Sequence, residues 1–145
     1  TMKEEDIRQH FLVQLNAQYK GEGLAEAFNY EGKTDILMRH KGKNVFLEEC
    51  KFWNGPKSLA DTIDQLLSYT SWRDTKTAIF LFNRRKNFTA VLEKIPDVVR
   101  SHTCYKKDIE SKEETVFRYR FHHRDDVNRE LWLTVMAFDV PRVEV

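Results

Sequence analysis

Thr34-Asp35-Ile36-Leu37-Met38-Arg39, His40-Lys41-Gly42-Lys43-Asn44, Val45-Phe46-Leu47-Glu48-Glu49-Cys50-Lys51: the reading of these eighteen positions, 34–51, decides the fold. Two apolar runs flank a glycine-bearing polar turn of the length that hairpins use, so the runs are expected to pair as antiparallel strands. Side chains alternate between the faces of a strand, which puts Glu49 and Lys51 on one face and Cys50 on the other. In an antiparallel pair Asp35, at the head of the first strand, lies across from the far end of the second. Asp35, Glu49 and Lys51 are therefore expected to converge. The unbroken run Val45-Phe46-Leu47 predicts a strand buried on both faces, where a charge is costly unless matched to an ion or a partner.

Two carboxylates and a lysine suit metal-assisted hydrolysis of a phosphodiester. That reaction needs a nucleophilic water and compensation of charge on the scissile phosphate, and the hard oxygens of Asp and Glu favour Mg²⁺ or Mn²⁺. Asp35 and Glu49 are the expected metal ligands, with the main-chain carbonyl of Cys50 as a further one. Lys51 is expected to bond the attacking water or a phosphate oxygen and to offset negative charge in the transition state. A Glu-x-Lys pair on a strand also serves as an ordinary solvated charge pair; the apolar setting favours the catalytic reading.

Outward from this core, Leu59, Ile63, Leu66, Leu67 and Thr70 recur at helical spacing and predict a helix from a Ser58 cap to Trp72, packed on the sheet. Gln65 and Tyr69 stand one turn apart beside its apolar face, either as an ordinary helix edge or as site residues reaching lysine and phosphate. Ala78–Phe82 reads as a buried central strand, and Phe88–Arg100 as a helix that bends or restarts at Pro96. Upstream, an amphipathic helix is expected over Lys3–Tyr19, then a strand near Ala25–Tyr30 and a turn at Glu31-Gly32-Lys33. Downstream, Glu114–Phe121 and Leu131–Val140 alternate and predict a C-terminal antiparallel hairpin joined by the loop His122–Arg129. His122, His123, Asp125 and Asp126 are read as turn chemistry rather than a metal site. Core packing is the default for Trp72 and Trp132, and packing or cover of the site for Trp53.

In these residues the chain resembles the PD-(D/E)xK nuclease superfamily. The likeness runs from about Lys3 to Phe82, with Asp35 at the motif's first acid, Glu49 at the second and Lys51 at the lysine. Gln65 to Tyr69 resembles the Gln-x-x-x-Tyr element of the exonuclease-like branch, and Thr34 stands where the namesake proline would be. The order helix, three strands, helix, strand matches as well. The resemblance implies a restriction-endonuclease-like three-layer α/β domain, a central mixed β-sheet flanked by helices. It also implies catalytic roles for Asp35, Glu49, Lys51, Gln65 and Tyr69, and a metal-side role for an acid on the first helix. Glu4 is chosen for that role because it shares a face with Ile7, Phe11 and Leu15; a first-turn acid favoured by the helix dipole is the alternative.

The 145 residues, 41% hydrophobic and 12% aromatic, suit one globular domain over 1–145, self-standing or excised from a larger protein. No repeat, linker, signal-peptide pattern or membrane-length apolar run is present, which predicts a cytoplasmic protein without membrane contact. Cys50 and Cys104 have neither zinc-site nor disulfide spacing and are expected as buried or free thiols. A net charge of +1 leaves nucleic-acid contact to local patches: Arg84-Arg85-Lys86 after the Ala78–Phe82 strand, and Lys41 and Lys43 on the hairpin. Loop charge that merely solubilises is the alternative for each. The expected activity is a metal-dependent deoxyribonuclease of genome defence or repair, endonuclease rather than exonuclease, with RNA still open as substrate. A homodimer or neighbouring domains would complete it. The competing class is a nuclease-derived module that binds nucleic acid or assembles without cutting.

Overall fold

The computed structural model describes residues 28–31, 34–40, 43–70 and 76–140, with side chains from Glu49 onward. The chain is α/β: seven described strands form one mixed sheet, and two described helices pack on it. The elements are β1 (Phe28–Glu31), β2 (Thr34–His40), β3 (Lys43–Phe52), α1 (Pro56–Tyr69), β4 (Lys76–Asn83), α2 (Phe88–Arg100), β5 (Tyr105–Ile109), β6 (Val116–His123) and β7 (Asp126–Asp139). Their order across the sheet is β1-β2-β3-β4-β7-β6-β5. The β3–β4 and β4–β7 pairs are parallel, and the other neighbours antiparallel.

The expected hairpin is present. β2 and β3 pair from His40↔Lys43 to Ile36↔Glu48, so the link shrinks to positions 41–42. The chain then crosses through α1 to β4, the parallel connection that a helix between strands provides. β4 is buried from Thr77 to Asn83 and lies between two parallel neighbours, as its apolar run requires.

The main core lies between the sheet and the two helices. α1 contributes Leu59, Ile63, Leu66 and Leu67, α2 contributes Val91, Ile95 and Val99, and the strands answer with Ile79, Leu81, Tyr119, Phe121, Leu133 and Val135. On the other face Cys50, Ala78, Phe80 and Phe82 are buried, and Phe80 and Phe82 pack against Phe138 with ring centroids 5.8 and 5.5 Å apart. The predicted helix Lys3–Tyr19, with Glu4, lies outside the described residues, as do residues 25–27 of the predicted first strand. Both cysteines are free and buried. Among the described residues no helix is long and apolar enough to cross a membrane.

Several boundaries differ from expectation. α1 starts at Pro56, and Gly55 rather than Ser58 occupies the cap position. Gly55 has φ 95°, a left-handed conformation suited to glycine, and Pro56 brings the φ that a first helical residue needs. α1 ends at Tyr69, where Thr70 turns extended and its hydroxyl donates to the Leu67 carbonyl at 2.7 Å. α2 runs unbroken through Pro96, held by the buried stripe Val91, Ile95, Val99.

The C-terminal hairpin extends the sheet, but His122, His123 and Asp126–Arg129 belong to its strands, leaving Arg124-Asp125 as the turn. Polar residues continue there as strand because the hairpin tip projects past the core into solvent. β5, a short edge strand with three exposed charges in Tyr-Lys-Lys-Asp-Ile, has no counterpart in the expectations.

Candidate active site

The last pair joining β2 to β3 is Ile36↔Glu48. Asp35 and Glu49 are each the next residue along, so the register brings position 35 beside position 49; the side chain of Asp35 lies outside the described residues. On its other side β3 stays paired to β4 through Glu49↔Ile79, Lys51↔Leu81 and Phe52↔Phe82. Partners in register share a face. Glu49 therefore belongs to a row that continues through Ile79, Val135 and Phe117, and Lys51 to the next row, with Leu81 and Ala137. Both rows face the helices. Glu49 is 2% exposed, a carboxylate whose row on the β4 side is apolar throughout.

Lys51 is half-buried and opens into a cleft of about 400 Å³ between the end of β3 and the first turns of α1. Asn54, Ser58, Thr62 and Gln65 line the same cleft, with the exposed pair Lys57–Asp61 (3.0 Å) at its rim. Local chemistry shapes this wall. The Trp53 N–H donates to the Phe82 carbonyl at 2.8 Å, pinning the chain as it leaves β3, and Gly55-Pro56 then turns it into α1. Leu59, Ile63 and Leu66 anchor the helix inward, which leaves Ser58, Thr62 and Gln65 toward the cleft. Gln65 Nε2 donates to the Tyr69 hydroxyl at 3.3 Å, and Tyr69 itself packs against the core. The Gln-x-x-x-Tyr element is thus one hydrogen-bonded unit whose amide end shares a cleft with Lys51.

The basic loop after β4 stands over the same end of the sheet. Buried Asn83 ties down its main chain: Nδ2 donates to the Arg85 carbonyl (2.7 Å) and to Asp139 Oδ1 (3.0 Å), while Oδ1 accepts from the Arg85 N–H (3.2 Å). Asn87 closes the loop in a left-handed conformation, φ 67°, and caps α2 by accepting from the Ala90 N–H at 3.2 Å. Between these anchors the Arg84 guanidinium lies 3.5 Å above the centre of the Phe52 ring, and Arg85 donates to Asn54 Oδ1 at 2.7 Å. Arg85 is thereby fixed to a residue that lines the cleft; Lys86 is exposed beside it. Asn54 and Asn83, which fix this geometry, were not among the candidate site residues of the sequence. Lys43 stands apart: it opens β3 eight residues before Lys51, about 26 Å along the strand. Lys41 lies outside the described residues.

The residues present suit a hard divalent ion. The described groups at the end of β3 that could hold one are oxygens, the Glu49 carboxylate and the Cys50 main-chain carbonyl, with the backbone of position 35 in the neighbouring strand. Among the described residues no group of three or more His, Cys, Asp or Glu gathers as a metal cluster.

A larger groove, about 660 Å³, runs between α1 and α2 and includes Asp64, Lys94, Asp97 and His102. His102 Nδ1 accepts from the Cys104 N–H at 3.0 Å, which leaves Nε2 to carry the proton donated to Asp64 at 2.6 Å. Both ring nitrogens are thus committed, and the pair locks α1 to the end of α2. Burial of the adjacent Cys104 thiol pushes its pKa up. Trp53 is core, as expected, whereas Trp132 is half-buried on the opposite face, where the guanidiniums of Arg120 and Arg118 stand 4.4 and 5.4 Å from its ring.

No family model, no curated protein and no solved structure matches this chain.

Proposed function

We propose that this chain is a divalent-metal-dependent nuclease domain of the PD-(D/E)xK kind, with a restriction-endonuclease-like fold, acting on DNA. One observation carries the reading: a buried carboxylate, Glu49, and a half-buried lysine, Lys51, occupy adjacent rows of the helix-facing side of the sheet, each flanked by apolar residues on β4 and β7, beside position 35 and at the mouth of a polar cleft. A fold seldom bears the cost of a buried charge without a use for it.

In this reading Asp35, Glu49 and the Cys50 carbonyl hold Mg²⁺ or Mn²⁺, and the ion supplies an activated water and a positive clamp on the phosphate. Lys51 donates to the phosphate oxygen on which charge develops. Gln65, steadied by Tyr69, orients the substrate or the lysine. Arg85 and Lys86 neutralise flanking phosphates and set the register of the strand in the cleft. Endonucleolytic cutting in genome defence or repair within the cytoplasm, with a second copy or a neighbouring domain, completes the proposal.

The test is cleavage of supercoiled plasmid and end-labelled linear DNA with Mn²⁺ or Mg²⁺, using the intact chain, Lys51→Ala and Asp35→Ala. Metal-dependent cutting lost in both variants is expected. A folded chain that binds neither DNA nor metal sinks the reading.

A further inference from the structure

We infer that the sheet face turned away from α1 and α2 carries a second nucleic-acid site, one that takes a single strand through Lys76, Arg118 and Trp132. Register and alternation set the constellation: Lys76↔Trp132 and Trp132↔Arg120 form one row across β4, β7 and β6, and Thr134↔Arg118 lies in the next. Lys76, Arg118, Trp132, Thr134 and Met136 line a depression of about 220 Å³, and among the described residues no carboxylate lines it.

The charges around it divide into two kinds. Arg120 bonds Glu130 at 3.1 Å, and Lys106 bonds the same carboxylate at 2.9 Å, so these cations are already balanced in part. Among the described residues neither Lys76 nor Arg118 has a carboxylate partner, although Arg118 is half-buried. Glu110 and Glu113 lie in the adjoining hollow beyond Arg118, together with Lys112.

Complementarity selects the ligand. The guanidiniums of Arg118 and Arg120 stand over the Trp132 ring, 5.4 and 4.4 Å from its centre, so the surface offered to a nucleobase is a guanidinium plane backed by the indole, and Arg planes stack on unstacked bases. Lys76 supplies a point charge for the adjoining phosphate. A duplex shows its phosphates but hides its base faces, whereas a single strand presents both. The site lies on the opposite face from the Lys51 cleft and does not depend on the cleavage reading.

The test is fluorescence anisotropy of fluorescein-labelled dT12 with the intact chain in EDTA, where no metal-dependent cutting interferes. Arg118→Ala and Lys76→Ala are each expected to weaken binding about five- to tenfold. Lys76→Ala should also lower the slope of log affinity against log salt by about 0.7. Arg118→Lys keeps the charge, guards against misfolding, and is expected to retain the salt slope while losing affinity. Parent-like affinity in Arg118→Ala and Lys76→Ala overturns the proposal, as does loss confined to Arg85→Ala. A twelve-residue poly-glutamate that binds as tightly as dT12 with the same variant sensitivity assigns the face to acidic peptides and overturns it too.

Discussion

At the end of β3, Glu49 shares a row with Ile79, Val135 and Phe117, whereas at the tip of the β6–β7 hairpin Glu130 pairs in register with His122 and bonds Lys106 and Arg120. The first carboxylate is buried and breaks the apolar pattern of its face. The second is exposed, obeys the alternation and is balanced by neighbours that hold its carboxyl below the usual range, the Lys106 bond most of all. Exposed pairs of that kind contribute little to stability, while a buried carboxylate must be stabilised by something specific. The difference separates a charge that dresses a surface from one whose burial is the ground of the proposed site.

The sharpest way to break this comparison is Lys51→Ala, in which cleavage should fall by about 10²–10³-fold, the loss typical of one transition-state donor. Its melting temperature should stay near that of the parent; equal losses of fold and activity would make Lys51 structural. Phe121→Ala, at a fully buried position on the helix-facing side of the hairpin, should cost about 3–5 kcal/mol in urea unfolding. A much smaller cost would show that the hairpin is not part of the main core.

Glu49→Gln sharpens the contrast from the metal side. The parent should gain about 2.7 kcal/mol when Mg²⁺ or Mn²⁺ stands at a hundred times its dissociation constant, read as a rise in melting temperature. Glu49→Gln should lose that rise, and Glu130→Gln should keep it. Arg85→Ala should weaken binding of uncleaved duplex about equally across sequences and lower the salt slope by about 0.9.

The smallest effect belongs to an exposed pair. Arg100 donates to Asp108, as does the Tyr105 hydroxyl at 2.7 Å, and the Arg100 bond chiefly holds the Asp108 carboxyl below its usual range. A depressed carboxylate pKa stabilises the fold above the unfolded value of about 3.9 and loses that contribution as pH falls through the folded value. Because the Asp108 side chain is 43% exposed, Asp108→Asn should cost less than about 1 kcal/mol at pH 7. The difference from the parent should vanish near pH 2 in pH-dependent urea unfolding.

The β2–β3 hairpin, α1, β4 and α2 were legible because their apolar periods are unmixed: continuous in β4, helical in α1 and α2. The meeting of positions 35 and 49 followed from the same hairpin arithmetic. β5 escaped because an edge strand whose middle is Lys-Lys-Asp buries little and carries no alternation. The tip of the hairpin escaped because polar residues that read as loop can extend a ladder once a core-facing strand has begun it. The contacts of Asn54 and Asn83 were invisible for another reason. Asn54 accepts from Arg85 across 31 positions and Asn83 donates to Asp139 across 56, and no local pattern records which distant side chain an amide will reach.

β7 is the last described strand, yet it lies beside β4 in the middle of the sheet, pairing Asn83 with Asp139 across 56 positions. During synthesis β4 therefore emerges with one flank unsatisfied and must wait for dozens of further residues before its neighbour exists. Until then Ala78-Ile79-Phe80-Leu81-Phe82 is an apolar ribbon with an open edge, the kind of segment that invites pairing with another nascent chain. The long closure also makes assembly slow compared with a fold of local contacts. Yield in the cell should thus hinge on how quickly the final strand is delivered, and on chaperones that shield β4 in the interval.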